Sequence, residues 1–421
     1  MADDIPPVAR QEATSEAGED GFGPSDDTGR GAGRDPACAA PPPARPARDA
    51  GGPHGQTFAP PRVGTDGRST PFAANGPHAP FHRQAYAAID LGTNNCRLLI
   101  ARPSGENFVV VDAFSRVVRL GEGLAQSGRL SQEAIDRALG ALHVCADKLR
   151  RRNVHLARSV ATEACRRAVN GEDFIERVRR ETGIALTVIS AREEARLAVL
   201  GCHILLEPGV GPAMIFDIGG GSTELVLIES GPTVPRILDW KSVPWGVVSL
   251  TESCAAEGDS REARLARYAE MRGRVAASFA NFAARIGSAR EEARAAGSLR
   301  LLGTSGTVTT LASLHLDLPQ YDRRAVDGLQ VPAASMRDIS MRLSSMSYAE
   351  RCELPCIGRE RADLVVAGCA ILETILDLWP AEMLGVADRG IREGILRSMM
   401  TAGSAGERLR SSMRQRLQAG A

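Results

Sequence analysis

Two segments of one type carry most of the chemistry-prone residues of this chain: Asp90-Leu-Gly-Thr-Asn-Asn-Cys-Arg97 and Asp217-Ile-Gly-Gly-Gly-Ser-Thr-Glu224. Each opens on a carboxylate and passes through glycine into hydroxyl- or amide-bearing residues. Each also lies between short apolar runs, 86–89 and 98–101 for the first, 213–216 and 225–228 for the second. The pattern is strand, turn, strand, and it reads as two phosphate-holding hairpins facing one cleft. Backbone amides of Gly92 to Asn95 and of Gly219 to Ser222 can donate to phosphate oxygens, because glycine lets the main chain approach with no side chain in the way. Rossmann and P-loop readings fail, since both need a helix directly after the glycines. A third segment, Gly303-Thr-Ser-Gly-Thr307, follows a strand-like stretch at 299–302 and does lead into a helix. Its free N–H groups and the positive end of the helix dipole suit an anion.

The elements that would position these turns follow from periodicity. After the first hairpin, 108–114 and 117–120 continue an extended pattern, and a helix starts at Ser131 with apolar residues at Ile135, Leu139, Leu142, Ala146 and Leu149. A strand at 159–161, a helix at 172–182, a strand at 184–189 and a helix from Ala191 follow. Hairpins followed by helices predict an α/β architecture with a mixed sheet covered by helices. Glu207-Pro-Gly-Val-Gly-Pro212 is the expected hinge, after which the Asp-x-Gly hairpin recurs 127 positions on (217 minus 90). A cleft between two similar halves follows. The second half continues with a helix at 261–286, the strand and turn of 299–307, a helix at 361–379, a strand at 383–387 and a last helix after Asp388. The expected domains are 83–207 and 208–400, with the last helix able to pack back on the first, and an Arg-rich tail at 401–421.

At 421 residues and 43% hydrophobic content the chain can bury two ordinary cores. Residues 1–82 are expected to be a disordered Pro/Gly/Ala-rich tail: positions 1–80 hold no Leu and 14 of the 24 prolines, too little apolar surface to offset ordering entropy. That leader lacks the apolar core of a secretory signal, and Asp3, Asp4, Glu12 and Glu16 argue against an organelle transit peptide, so the cytoplasm is the expected compartment. No apolar run reaches the roughly 18 residues of a membrane span. The nine cysteines are scattered, and Cys352 with Cys356 has no second pair at metal-binding spacing; reduced, buried thiols are expected. The seven histidines, His315 included, show no ligand spacing. A net charge of zero supplies no field toward nucleic acid or membrane, and since Lys148 and Lys241 are the only lysines, arginine runs at 150–152 and 177–180 read as solvated helix faces.

Taken together, Asp90-Leu-Gly-Thr-Asn-Asn95, Ala161-Thr-Glu-Ala164, Glu193-Glu-Ala-Arg196, Asp217-Ile-Gly-Gly-Gly-Ser-Thr-Glu224, Gly303-Thr-Ser-Gly-Thr307 and Asp388-Arg-Gly-Ile-Arg-Glu-Gly394 resemble the exopolyphosphatase and guanosine pentaphosphate phosphatase family, Ppx/GppA, in order and over about residues 84–400. Asp-x-Gly turns occur throughout the actin, sugar kinase and heat-shock ATPase superfamily whose fold this family shares. Glu-Glu-Ala-Arg followed by Gly-Gly-Gly-Ser-Thr-Glu is the specific part. The resemblance implies two actin-like ATPase (ribonuclease H-like) domains and Mg2+-dependent hydrolysis of the terminal phosphoanhydride of polyphosphate or of the 5′ γ-phosphate of pppGpp, a guanosine alarmone of the stringent response. It implies Glu194 as base or water-orienting group beside the scissile phosphate, with Glu224 as partner; two close carboxylates would raise one pKa toward neutrality. Asp90 and Asp217 are the implied magnesium ligands, direct or through water, the competing reading being caps of their own turns. The implied substrate-binding set is Gly92, Thr93, Asn94, Asn95, Arg97, Gly219, Gly220, Gly221, Ser222, Thr223, Gly303, Ser305, Gly306 and Arg361, the arginines gripping phosphate oxygens bidentately. Glu163, Arg166 and Arg392 fall in family-like stretches as further candidates.

Departures from the family pattern are Asp327 where relatives often carry histidine, and Thr93-Asn94-Asn95 where Ser-Asn-Ser is common. The chain resembles the short form, which lacks a C-terminal helical extension. A homodimer is compatible with the resemblance. Two other functions compete with hydrolysis: an ATP-dependent actin-like kinase, against which Glu-Glu-Ala-Arg argues, and a non-catalytic alarmone-binding regulator.

Overall fold

The recurrence of the hairpin after 127 residues organises the whole fold. A computed structural model describes residues 84–105, 107–230, 234–254, 258–297 and 299–401; the expected tails at 1–82 and 401–421 lie outside the described residues, Thr401 excepted. The first sheet has the order β3-β2-β1-β4-β5, built from β1 (Ala85–Leu91), β2 (Asn95–Ser104), β3 (Asn107–Val117), β4 (Val154–Ala161) and β5 (Leu186–Val188). Its first three strands form an antiparallel meander, and β4 and β5 add in parallel beyond β1. The second sheet is built from β6 (Pro212–Ile218), β7 (Thr223–Glu229), β8 (Arg236–Val243), β9 (Arg300–Thr304), β10 (Gln330–Pro332) and β11 (Met383–Ala387). Its order is β10-β11-β9-β6-β7-β8, with the same meander, the same two parallel additions and one antiparallel edge strand.

The repeat extends to fine detail. Gly92 N donates to Asn95 O and Gly219 N to Ser222 O, both at 2.9 Å. A bulge falls between Ile100 and Ala101 in β2 and again between Leu227 and Ile228 in β7. The offset is 127 in each case (219 minus 92, 227 minus 100). A bulge bends and twists its strand, so both hairpins are shaped alike.

Crossover helices supply the parallel connections. Ser131, Ser190, Ser260 and Ser305 each accept a hydrogen bond from the N–H three residues on, starting the helices Gln132–Arg151, Ala191–Cys202, Arg261–Arg285 and Gly306–His315. Some boundaries differ from expectation. Strand β3 absorbs the extended pattern only to Val117. The helix expected from Arg361 begins at Val365 and runs to Leu378; before it, the buried Arg351 guanidinium takes the Ala362 carbonyl at 2.7 Å, leaving Arg361 in a turn. Strand β8 and the helices Val247–Ser253, Gly287–Ala295 and Ala333–Ser345 were not expected. Polar residues interrupt β8, which is an edge strand, and the three helices lack a long apolar period.

The Ala191–Cys202 helix is the spine of the molecule. Leu197 and Ala198 pack with Tyr86, Ala88, Leu99 and Val160 of the first sheet, while Ala195, Val199 and Cys202 pack with Ala213, Ile215, Val226 and Ile228 of the second. The last helix, 391–401, lies on the first sheet through Ile391, Ile395 and Leu396. Both of these helices contribute glycine where they cross: a Cβ at Gly201 would stand 2.0 Å from Gly390 O, and one at Gly394 would stand 2.0 Å from Leu197 O.

Candidate active site

Both glycine turns and the starts of several helices converge on one cleft between the sheets, enclosing about 940 Å³ of space open to solvent. The turns touch each other. A Cβ at Gly220 would lie 3.0 Å from Asn94 N and from Thr93 Cβ, and one at Gly221 would lie 2.6 Å from Thr93 Oγ1. Neither glycine has a positive φ, so glycine is needed at both positions because the two halves approach closely. Gly246 continues the contact, its Cβ position 2.3 Å from Gly220 C. From there the Val247 and Val248 amides donate to Gly219 O and Gly220 O at 2.9 and 2.8 Å.

Strand register places the acids. Asp90 is opposite Arg97 and Asp217 opposite Glu224, so each pair shares a face of its sheet. Glu194 enters from the first turn of the spine helix and is 7% exposed. Arg166 Nη1 donates to Glu194 Oε2 at 2.7 Å and to Ile189 O at 2.8 Å, while its Nε and Nη2 hold Glu163 Oε2 at 3.0 and 2.7 Å. Glu224 Oε1 accepts from Ser222 Oγ at 2.8 Å and Ser242 Oγ at 2.9 Å. Glu193, beside Glu194, points away to Arg158 and Arg196, which lower its pKa to about 2.

The four inward carboxylates shift the other way. Burial pushes Glu194 well above its usual range, with Glu224 and Asp90 adding to the shift and Arg166 opposing it. Burial and Asp217 raise Glu224 to about 7 against its serine bonds. Asp217 is also raised to about 7, by burial and then Glu194, with Arg97 opposing. Burial raises Asp90, while Arg97 and Arg392 lower it. The site therefore gathers negative charge that its arginines do not fully offset. Asp90 Oδ1 is buried and has no hydrogen-bond partner among the described residues. No group of three or more His, Cys, Asp or Glu side chains among the described residues is arranged to hold a metal ion.

Fifteen expected residues line the cleft: Asp90, Gly92, Thr93, Asn94, Asn95, Arg97, Glu194, Asp217, Gly219, Gly220, Gly221, Ser222, Ser305, Gly306 and Arg361. Three stand behind its wall. Glu224 is 2% exposed, Thr223 is fully buried with Oγ1 donating to Trp245 O, and Gly303 belongs to β9, where a Cβ would meet the Phe216 ring at 2.4 Å. Gly303 is thus a packing glycine. Glu163 lines the cleft too, and Arg392 is near enough to Asp90 to act on its charge. Asp327 instead supports the turn before the last helix, accepting from Asp388 N and Arg389 Nε at 3.0 and 2.8 Å. The residues not anticipated include Thr162, Thr307, Thr310, Val247, Leu364 and Val365. Thr162 and Thr307 left a signal, as the second residue of Ala161-Thr-Glu-Ala164 and the last of Gly303-Thr-Ser-Gly-Thr307.

Two meander-and-parallel sheets on a shared helix, with phosphate-type turns meeting between them, define a phosphate-handling protein of the actin-like ATPase fold. The chain belongs to the Ppx/GppA phosphatase family, whose model matches residues 99–402, and it is accordingly a phosphatase. It is 32% identical over 327 residues to Exopolyphosphatase 2 of Mycobacterium tuberculosis, covering 74% of this chain and 98% of that protein. The Aquifex aeolicus member of the Ppx/GppA family superposes with a TM-score of 0.60 at 27% identity, over 76% of this chain and 98% of that one. An exopolyphosphatase from Cytophaga hutchinsonii has the same fold, with a TM-score of 0.66 at 24% identity over 76% of this chain and 98% of its own. No described helix is long and apolar enough to cross a membrane.

Proposed function

We propose that this chain hydrolyses the terminal phosphoanhydride of inorganic polyphosphate, with the 5′ γ-phosphate of pppGpp as a second substrate of the same chemistry. The observation that carries this reading is the set of Asp90, Glu194, Asp217 and Glu224, all desolvated, around two touching phosphate-type turns. Donors for the substrate's equatorial oxygens come from the turn amides, the Gly306 helix start, Arg97 and Arg361. Glu194 is fixed by Arg166 through one oxygen, which orients the other toward a water on the terminal phosphorus as general base. Glu224, held by two serines, adds its negative charge to the surroundings of Glu194 and so raises the proton affinity of that base.

The unpartnered Asp90 oxygen and the surplus negative charge suit a divalent cation, with Asp90 and Asp217 as its protein ligands and the substrate supplying others. Mg2+ there would neutralise phosphate oxygens as bond cleavage proceeds. Purified protein with Mg2+ is expected to release phosphate from polyphosphate or pppGpp and not from ATP. Glu194→Gln and Glu224→Gln should each lower turnover about 100-fold or more while substrate still binds. Full activity in both variants would remove these glutamates from the mechanism, and tight alarmone binding without release would favour a regulator.

A further inference from the structure

The second glycine turn is held from behind by the segment 245–249. The Val247 amide donates to Gly219 O at 2.9 Å and the Val248 amide to Gly220 O at 2.8 Å. Gly221 O takes the Ser249 hydroxyl at 3.1 Å. All three carbonyls of the turn are therefore bonded on the side of that segment. In a planar trans peptide group the N–H points opposite to the C=O, so these bonds turn the amides of Gly220, Gly221 and Ser222 the other way. All three residues line the cleft, and none of the three amides meets an acceptor among the described residues. The Gly219 amide differs: it is used within the turn, on Ser222 O at 2.9 Å.

The first turn is held in the same manner, by backbone alone. Thr93 and Asn94 stand where Gly220 and Gly221 do, 127 positions earlier (220 minus 93, 221 minus 94). Thr93 O accepts from Gly121 N at 2.9 Å, and Asn94 O from the Val118 and Arg119 amides at 2.8 and 3.0 Å. The counterpart of Asn94 O is Gly221 O, and among the described residues its one donor is the Ser249 side chain. Ser249 is 7% exposed. Its oxygen is fixed by accepting from Gly246 N at 2.9 Å, and its single proton has Pro244 O at 3.2 Å and Gly246 O at 3.4 Å as more distant acceptors. Gly246 O already takes the Leu250 amide at 3.0 Å, whereas Gly221 O loses its partner if the hydroxyl is removed.

We propose that Ser249 is a positioning residue for phosphate hydrolysis. Through Gly221 O it aims the Ser222 amide, and with Val247 and Val248 it completes a set of three amides, Gly220, Gly221 and Ser222, directed at oxygens of the terminal phosphate. The inference rests on the reading that this turn holds phosphate. Donors preset in this way need no reorientation as charge develops on the phosphoryl oxygens. Ser249 lies outside every motif that carries the family resemblance and does not line the cleft, so it acts only through the peptide group it holds.

The first test needs no turnover. The full chain, labelled with nitrogen-15 at glycine and serine, is titrated with inorganic phosphate while the amide resonances of 219–222 are followed. Saturable shifts are expected at Gly220, Gly221 and Ser222 and smaller ones at Gly219, with Ser222 losing most of its shift in Ser249→Ala. Shifts at Gly219 as large as at the other three, or an undiminished Ser222 shift in Ser249→Ala, would overturn the proposal. The second test compares kcat and KM on tripolyphosphate with Mg2+. Its control is Ser344→Ala, which removes another buried serine hydroxyl, one that donates to Met341 O at 2.9 Å within the Ala333–Ser345 helix. Ser249→Ala should lower kcat about 10-fold, less than the about 100- to 1,000-fold of deleting an oxyanion donor outright, while Ser344→Ala stays within about twofold of wild type. No fall in Ser249→Ala, or an equal fall in Ser344→Ala, would overturn the positioning role. A wild-type protein that releases no phosphate would count against the proposed hydrolysis alone, and the amide shifts would then decide the role of Ser249.

Discussion

At the scale of single residues, the proton affinities of four carboxylates connect burial to chemistry. Asp217 and Glu224 have ordinary pKa values of 3.8 and 4.5 and are raised to about 7 in the folded protein. Between those limits the folded state holds protons that the unfolded chain has released, so stability from this source is fully present below about pH 4 and is lost as the pH rises through 7. Thermal midpoints of substrate-free protein should therefore fall between pH 5 and 8, and Glu224→Gln, which cannot ionise, should fall less; parallel curves would contradict the shared burial. Arg166 acts on the same equilibrium, since its guanidinium opposes the upward shift of Glu194. Arg166→Gln should move the acid limb of the kcat/KM profile to higher pH, whereas a purely structural arginine would lower the plateau and leave the limb in place.

At the scale of elements, the two hairpins work because one turn fits against the other. A methyl at Gly220 meets Asn94 N and Thr93 Cβ at 3.0 Å, while one at Gly92 meets only Asn95 O at 3.5 Å, ordinary contact. Gly220→Ala is expected to cost about 1–3 kcal/mol by overpacking, with Gly92→Ala near wild type, both read from denaturant midpoints. The reverse order would mean that local turn conformation matters more than the meeting of the halves. The motifs alone gave the turns and their order. They did not give the reason for glycine at 220 and 221, because a contact with Thr93 and Asn94 of the other half leaves no local pattern. The serine caps show the opposite case: Ser131 and Ser190 were legible as helix starts because an N-cap bond spans only three residues.

At the scale of the whole molecule, the halves are joined by the spine helix, the 207–211 segment and the turn before 391. Arg300, 2% exposed, anchors that segment by donating to Glu207 O at 3.2 Å, Ser230 Oγ at 3.0 Å and Gly211 O. Arg300→Met would leave those acceptors unmet, so limited proteolysis should cut 207–211 faster; an unchanged rate would show that the segment is held by other contacts. The sequence by itself determined the repeated strand-turn-strand units, the acids at their heads, the caps and the order of motifs, because turns, caps and periodicity are local properties of the chain. Only the tertiary structure decided that Gly303 packs against Phe216 and that Arg361 sits in a turn pinned by Arg351. It alone placed Glu194 between two sheets on a helix that belongs to both cores. These depend on which surfaces meet, and burial and close approach are properties of pairs of distant segments that neither segment carries alone.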